Sequence, residues 1–502
     1  MEKLAIYTKW FKLVFIGVVL AEILSFWAYQ VQWLNISLFF LIIISVIALG
    51  FYKLEWAFWI AAIELIIGSF GQMFYLPTGG YDISVRLGIF VALFIVFALS
   101  EIRKRQLVFR HTKIWKYFII FLSYFAIASL IGLSNGNPLK DVFLDVNGYI
   151  YFLLIIVAYS IFNNWEKVNK FLQLMFAAIT AMTLKTLFLV FYFSHVTDES
   201  LISLVYKWVR DTRVGEIAQI IDNYYRIFFQ SHIWAVIAFI IISMYLIYVK
   251  KKDVDKKQYY WAYAILCMTT INLIVSFSRS FWAGLGVTLL VVAAFLFFKE
   301  KYKFTKLIKI ASVFLVVILI DLLLITAIVN VTLPRLGGGD GVSVAALIRD
   351  RVTDTDEAAV TSRFELLNPL ADKFLSSPVF GSGFGTSVTY DTDDPRSKGL
   401  YTTYSFEWGY LDILVKTGLV GFLLYSLFIF KVMKQGIKAI NKTVSLQAHA
   451  VLLGLIFSLI FIVLTHITTP YINHPLGIFL ILVASAVFYS FDKNNEIKPV
   501  KS

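Results

Sequence analysis

Residues 259–298 read YYWAYAILCMTTINLIVSFSRSFWAGLGVTLLVVAAFLFF. Two apolar runs, 259–276 and 281–298, flank one short polar turn that contains Ser278-Arg279-Ser280. Each run has the ~17–23 residues needed to cross about 30 Å of hydrocarbon as a helix. Such a segment must be helical, because unpaired backbone in lipid costs several kcal/mol per group. The pair therefore reads as two membrane spans joined by a tight turn.

The same pattern repeats in both directions. About fourteen candidate spans follow, at 12–28, 34–51, 57–76, 83–100, 117–133, 148–162, 171–194, 233–249, 259–276, 281–298, 310–329, 408–430, 448–466 and 475–491. The whole chain agrees: of 502 residues, 59% are hydrophobic and only 15% charged, with mean hydropathy +0.78. Soluble domains carry about 25% charged residues, and a soluble fold has nowhere to hide this much apolar surface. The expected fold class is all-α, a polytopic membrane helical bundle of about 12–14 transmembrane helices forming one integral membrane domain over residues 1–502.

The net charge of +13 does not point to nucleic acid, since no basic groove or stacking platform is visible. Lys and Arg concentrate in short loops between spans, as topology determinants do. With the N-terminus inside, the inner loops are several times denser in these residues than the outer ones, so both termini are expected in the cytoplasm. Arg103-Lys104-Arg105 and Lys250-Lys251-Lys252 fit topology and contact with anionic lipid. The single cysteine, Cys267, excludes a disulfide framework. Lys3, Lys9 and Lys12 precede a first run without a small-residue cleavage site, which reads as a retained span.

Two outer loops are long, at 195–232 and 330–407. Long loops in a compact helical protein are usually functional or disordered. In the second, Ser362 followed by Glu365 has the capping-box pattern that starts a helix at Arg363. Pro369 then kinks that helix or opens another capped by Asn368. Gly337-Gly338-Gly339 and Gly381, Gly383 and Gly385 mark flexible entry and exit. The loop is thus expected to be extracytoplasmic and partly helical.

The residues that carry chemistry fall on this outer face. Arg279 lies between two apolar runs, where a charge costs ~2.5 kcal/mol or more at mid-depth and less at the interface. It reads either as a turn residue snorkelling to the headgroups or as a functional cation. Arg226, in Tyr224-Tyr225-Arg226-Ile227-Phe228 before the eighth span, is an interfacial anchor or a second cation of the same kind. Arg363 is a solvated loop residue or a third. Glu407, in Ser405-Phe406-Glu407-Trp408, sits where the chain re-enters the bilayer, as an interfacial carboxylate or a partly desolvated base. Gly381–Gly385 resembles a phosphate loop only in spelling, since no strand precedes it and no Gly-Lys-Ser/Thr follows. Asp391, Asp393 and Asp394 fit a solvated acidic loop better than a divalent-cation site, and no His or Cys stands at metal-ligand spacing, so no metal is expected. Glu22, Glu64, Lys185 and Asp321 lie in or near spans and are expected to form internal pairs.

Taken in order, these features resemble the O-antigen ligase and polymerase superfamily. The resemblance rests on Ser278-Arg279 at an outer turn and on Arg363 followed by a helix. It continues through Pro378-Val379-Phe380-Gly381-Ser382-Gly383-Phe384-Gly385, and then Glu407-Trp408 with Gly418-Leu419-Val420-Gly421. It covers roughly residues 200–430 by motif. Ligases of this family carry a histidine where Glu407 stands here, which favours a polymerase over a ligase. The resemblance implies a GT-C-like bundle in the bacterial inner membrane. The donor would be a glycan on undecaprenyl diphosphate and the acceptor a sugar hydroxyl, with no cofactor. A chain-length regulator and a flippase are the implied partner proteins. Arg226, Arg279 and Arg363 would hold the diphosphate as substrate-binding groups, with Arg279 and Arg363 also catalytic and Glu407 as base. The competing expectation is a multi-pass transporter such as a lipid-linked oligosaccharide flippase, against which the outer clustering of arginines and the large outer loop stand.

Overall fold

The computed structural model describes residues 3–79, 82–104, 108–221, 224–332, 341–353, 358–394 and 398–494. Gly337-Gly338-Gly339 and Arg105 lie outside them. The helices, in chain order, are α1 (Lys9–Gln30), α2 (Gln32–Tyr52), α3 (Leu54–Ile67), α4 (Val85–Lys104), α5 (Trp115–Ser134), α6 (Leu139–Ile150), α7 (Leu154–Ile161), α8 (Trp165–His195), α9 (Glu199–Asp211), α10 (His232–Tyr248), α11 (Lys256–Val275), α12 (Arg279–Ala294), α13 (Phe304–Asn330), α14 (Val344–Thr353), α15 (Ala358–Glu365), α16 (Leu367–Ser376), α17 (Gly409–Lys442), α18 (Leu446–Thr465) and α19 (Pro475–Asn494). Three antiparallel hairpins complete the described residues: β1 (Tyr75–Pro77) with β2 (Asp82–Ser84), β3 (Gly215–Ile221) with β4 (Tyr224–Phe229), and β5 (Val388–Thr392) with β6 (Gly399–Thr403).

The protein is an all-α polytopic membrane bundle. Ten described helical segments are long and apolar enough to cross a bilayer, and Val85–Ser100 and His232–Tyr248 are shorter apolar helices. Every expected span falls on a helix, but two differ in kind. The third ends at Ile67, where Gly68, Ser69 (φ 49°) and Gly71 (φ 81°) turn the chain into β1. Its 14 residues rise only about 21 Å. The ninth, α11, opens with Lys256-Lys257-Gln258, buries Thr269, Thr270 and Asn272, and is not among those ten segments. The sixth starts earlier than expected, at Leu139 after Pro138, and continues through a 3₁₀ turn into α7.

The chain forms two compact units. The first comprises Met1–Gln106, Ile161–Arg351 and Thr443–Ser458, the second Leu107–Ser160, Val352–Lys442 and Leu459–Ser502. In the first, α8 packs against α1, α3 and α11, and α10 against α11. The peripheral helices α2 and α13 leave Phe40, Leu41, Ile44, Leu319, Ile320 and Leu323 exposed, as lipid-facing surfaces do. Three of the four expected intramembrane charges are paired: Lys185 Nζ lies 2.5 Å from Glu22 Oε2, and Glu64 Oε2 lies 2.8 Å from Nε of Arg86, a partner the sequence reading did not single out. Asp321 is buried, and its Oδ2 has no hydrogen-bond partner.

In the second unit α17 packs on α5 and α19 around an aromatic core. Phe121 stacks on Phe428 at 5.5 Å and on Tyr425 at 4.8 Å. Such pairs contribute ~0.5–1.5 kcal/mol each beyond the area they bury. The described part of the long loop beyond Val352 folds here as α15, α16 and the β5–β6 hairpin. Its core is Leu366, Leu370, Val388, Tyr390, Phe406 and Val415, with Trp408 packed against it.

Candidate active site

The loop core in the second unit fixes one candidate pair. Ser362 does not cap a helix at Arg363, as its spacing suggests. The helix α15 begins at Ala358 and places Arg363 in its last turn. Nor does Asn368 cap a helix at Pro369. The helix α16 starts at Leu367, with Pro369 in its first turn where a missing N–H costs nothing. Arg363 then ion-pairs with Glu407 through Nε and Oε2. The Trp408 indole N–H donates to the Arg363 carbonyl at 2.7 Å, so the loop helix and the re-entry point are tied by backbone as well as by charge. The Arg363 side chain is 32% exposed and that of Glu407 53%, leaving the pair open to solvent or to a substrate. Glu407 is therefore more open than a partly desolvated base, and its carboxylate is engaged.

The glycine run beside this pair is a joint and not a flexible exit. Helix α17 breaks at Gly418, whose φ of 63° and ψ of −174° are not helical. A break inside a span frees carbonyls and amides that lipid cannot satisfy. Residues 378–384 satisfy them. Ser382 N–H donates to Val415 O at 2.8 Å and Gly383 N–H to Lys416 O at 3.0 Å, while Leu419 N–H and Val420 N–H donate to Pro378 O and Val379 O. The Tyr124 hydroxyl donates to Thr417 O at 2.9 Å. A Cβ on Gly381 would stand 2.5 Å from Gly418 N, and one on Gly418 the same distance from Gly381 N. Both glycines are required because two backbones touch. Phe384 anchors the run between Phe125 and Tyr149, at 5.5 and 5.4 Å. The Pro-x-x-Gly-x-Gly-x-Gly and Gly-x-x-Gly motifs are thus two halves of one contact.

Under this joint lies a charged cluster that the sequence reading did not select. Lys416 Nζ is 2.7 Å from Asp145 Oδ1 and 2.6 Å from Asp412 Oδ1. The other oxygens are also held: Gly385 N–H donates to Asp145 Oδ2 and Asn473 Nδ2 to Asp412 Oδ2, both at 2.7 Å. All three charged side chains are at most 8% exposed. A buried ion group of this kind survives only when its remaining lone pairs are satisfied, and here they are. The Asp412-x-x-x-Lys416 spacing was a legible helical pair. Asp145 was not legible, because it precedes the expected start of its span.

In the first unit the arginines Arg226 and Arg279 belong to one corner. Phe277 takes φ 46° in the turn between α11 and α12, an uncommon conformation for a bulky residue. Its ring is fully buried and packs against Tyr224 at 5.5 Å. Arg226, on β4 opposite Ala218, donates from Nε to the Ser276 carbonyl at 2.8 Å and lies 4.8 Å over the Phe228 ring. The hairpin therefore clasps the turn that presents Arg279 as the first residue of α12. That position combines a guanidinium with the positive end of a helix dipole.

The remaining candidates are structural. Asp391 and Asp393 are exposed while Asp394 is buried, so the three carboxylates do not share a surface. Among the described residues no group of three or more His, Cys, Asp or Glu could hold a metal ion. His466 Nδ1 accepts from Ile472 N–H and His474 Nδ1 from Leu476 N–H, both at 3.3 Å, which makes them turn caps.

No curated protein matches this chain. Residues 262–426 match the O-antigen ligase family model. The matched stretch takes in Arg279, Arg363, the glycine joint and Glu407, and leaves Arg226 outside it. It supports placing the chain in the O-antigen ligase and polymerase superfamily, and with it a glycosyltransferase-type activity in general.

Proposed function

We propose that this protein transfers or polymerises oligosaccharide carried on undecaprenyl diphosphate at the outer face of the inner membrane, as a polymerase rather than a ligase. The observation that carries this reading is the Arg363–Glu407 ion pair, held on a packed loop core at the point where the chain enters the bilayer. In the reaction an acceptor hydroxyl oxygen attacks the anomeric carbon of the donor sugar. The bond from that carbon to the diphosphate oxygen breaks, and the lipid diphosphate leaves with the electron pair. The hydroxyl proton passes to a base.

Guanidinium groups suit the leaving group, because they stay protonated and fork onto phosphate oxygens. Arg279 at its helix terminus and Arg226 beside it hold and neutralise diphosphate charge. Arg363 has a dual part. While it grips Glu407, the carboxylate is occupied. A diphosphate oxygen that takes over the guanidinium releases Glu407 to accept the acceptor proton. The base is thus released from its ion pair only when donor is bound.

The test is transfer between purified lipid-linked repeats. Wild-type protein should build a glycan ladder, and Glu407→Gln should lose it while the donor still binds. A full ladder from Glu407→Gln would remove the carboxylate from the mechanism. Attachment of chains to a non-identical acceptor, without growth of lipid-linked repeats, would make the protein a ligase.

A further inference from the structure

The second unit carries a cavity of about 400 Å³ at the end of α17 remote from Glu407. Lys113 and Tyr117, at the start of α5, form one side of it. Lys431, Lys434, Gln435 and Lys438, on the last turns of α17, form another. The three α17 lysines are spaced i, i+3 and i+7, which aligns them on one helix face. Residues 419–430 above them contain no charged residue, so the lysines begin where the apolar span ends.

Four ammonium groups, three of them exposed, line one open cavity and together attract an anion placed in it. The carboxylate on the wall, Asp492, has its Oδ1 2.6 Å from Lys442 Nζ and is committed there. Lys431 Nζ lies 4.4 Å over the Tyr117 ring, which compensates one charge in part. The volume is that of a small-ligand site, and basic pockets between spans at a membrane surface take phosphate head groups.

The geometry points to a binding site for a phosphate-bearing anion in this cavity, independent of the glycosyl-transfer reading. The lysines supply charge and N–H donors to the phosphoryl oxygens, and Tyr117 a hydroxyl. Two sources share that chemistry: the headgroup of an anionic phospholipid, and a soluble phosphate compound. In the expected orientation this end of α17 faces the cytoplasm, where both are present.

Full-length protein in detergent tests the site in two arms. In one, phosphatidylglycerol is titrated against phosphatidylcholine, and bound lipid is counted by native mass spectrometry. In the other, inorganic diphosphate is titrated against sodium chloride at equal ionic strength, and the rise in melting temperature is read. Saturable phosphatidylglycerol binding that the lysine substitutions weaken assigns a lipid headgroup, and saturable diphosphate binding that they weaken assigns a soluble ligand, whereas diphosphate binding they leave unchanged belongs to the arginines of the glycosyl-transfer reading. In either arm K431Q/K434Q/K438Q should bind at least about tenfold more weakly, while K431R/K434R/K438R should bind like wild type. If the glutamine triple does not fold, K434Q and K438Q singly should each bind a few-fold more weakly. No saturable binding in either arm, or glutamine variants that bind as tightly as wild type, would overturn the assignment.

Discussion

At the residue scale, the weight falls on side chains that face charge. Glu407 and Arg363 engage each other, so their substitutions should not behave alike. Glu407→Gln should lower transfer by ~10²–10⁴-fold if it serves as general base. Arg363→Lys keeps the charge and loses the fork, so it should weaken donor binding and slow transfer by less than Arg363→Ala. Arg279→Ala should lower turnover by ~10²–10³-fold, the usual loss on removing one oxyanion-stabilising donor. These are read as initial rates on lipid-linked repeats with protein levels matched by immunoblot. Full surface polysaccharide from normally expressed Arg279→Ala and Arg363→Ala would refute the diphosphate clamp. Arg226, Arg279 and Glu407 were legible because a charge beside an apolar run is costly and therefore conspicuous, and Arg363 because a capping-box pattern placed it on a loop helix. Their partners were not legible. Arg226 meets a carbonyl fifty residues away, and Arg363 meets Glu407 across a folded loop.

At the element scale, the kink of α17 and its glycine strap form one unit of stability. Gly418 sits in a backbone region that is nearly closed to other residues, at about 1–3 kcal/mol for a side-chain-bearing substitute. A Cβ there would also press on Val379 and Gly381. Gly418→Ala should therefore lower the melting temperature and unlatch residues 378–384. Increased amide exchange confined to that strap would show it, and an unchanged melting temperature would argue that the joint tolerates a Cβ. The α18–α19 turn gives a pH signature. Burial pushes the His466 imidazole down to about 3 from its ordinary 6.5, and contact with Gly409 offsets this in part. The unfolded chain binds that proton near pH 6.5 and the folded chain refuses it until about 3. Stability contributed by this site is thus unchanged above pH 6.5 and falls as pH drops through the window. Melting curves between pH 7.5 and 5 should steepen this decline in wild type relative to His466→Gln.

At the scale of the whole molecule, three described groups of buried charge are paired, Glu22–Lys185, Glu64–Arg86 and Asp145–Lys416–Asp412, while Asp321 Oδ2 has no hydrogen-bond partner. Lys416→Met would leave Asp145 and Asp412 facing each other in the buried core. Breaking such a group by removing one partner costs about 3–5 kcal/mol, so the variant should fail to accumulate in membranes. Lys416→Met combined with Asp145→Asn and Asp412→Asn should recover part of the yield, as measured by fluorescence-detected size exclusion. Reporter fusions at Ser377 are expected to read as extracytoplasmic, and fusions at Lys442 as cytoplasmic. A cytoplasmic signal from Ser377 would invert the topology and remove the outer-face argument for Arg279, Arg363 and Glu407 together.

The sequence by itself determined where most of the apolar spans lie and that they belong in lipid. In a bilayer the length of an apolar run is the decisive quantity, and it can be counted along the chain. It also determined which charges are conspicuous enough to merit a chemical role. Only the tertiary structure decided that the glycine run straps a broken helix, that Lys416 serves Asp145 as well as Asp412, and that lysines from α17 share a cavity with the start of α5. The strap joins 378–383 to 415–420, and the Lys416–Asp145 pair and the cavity join residues hundreds of positions apart. They depend on which faces pack together, a choice that neither local propensity nor hydropathy encodes.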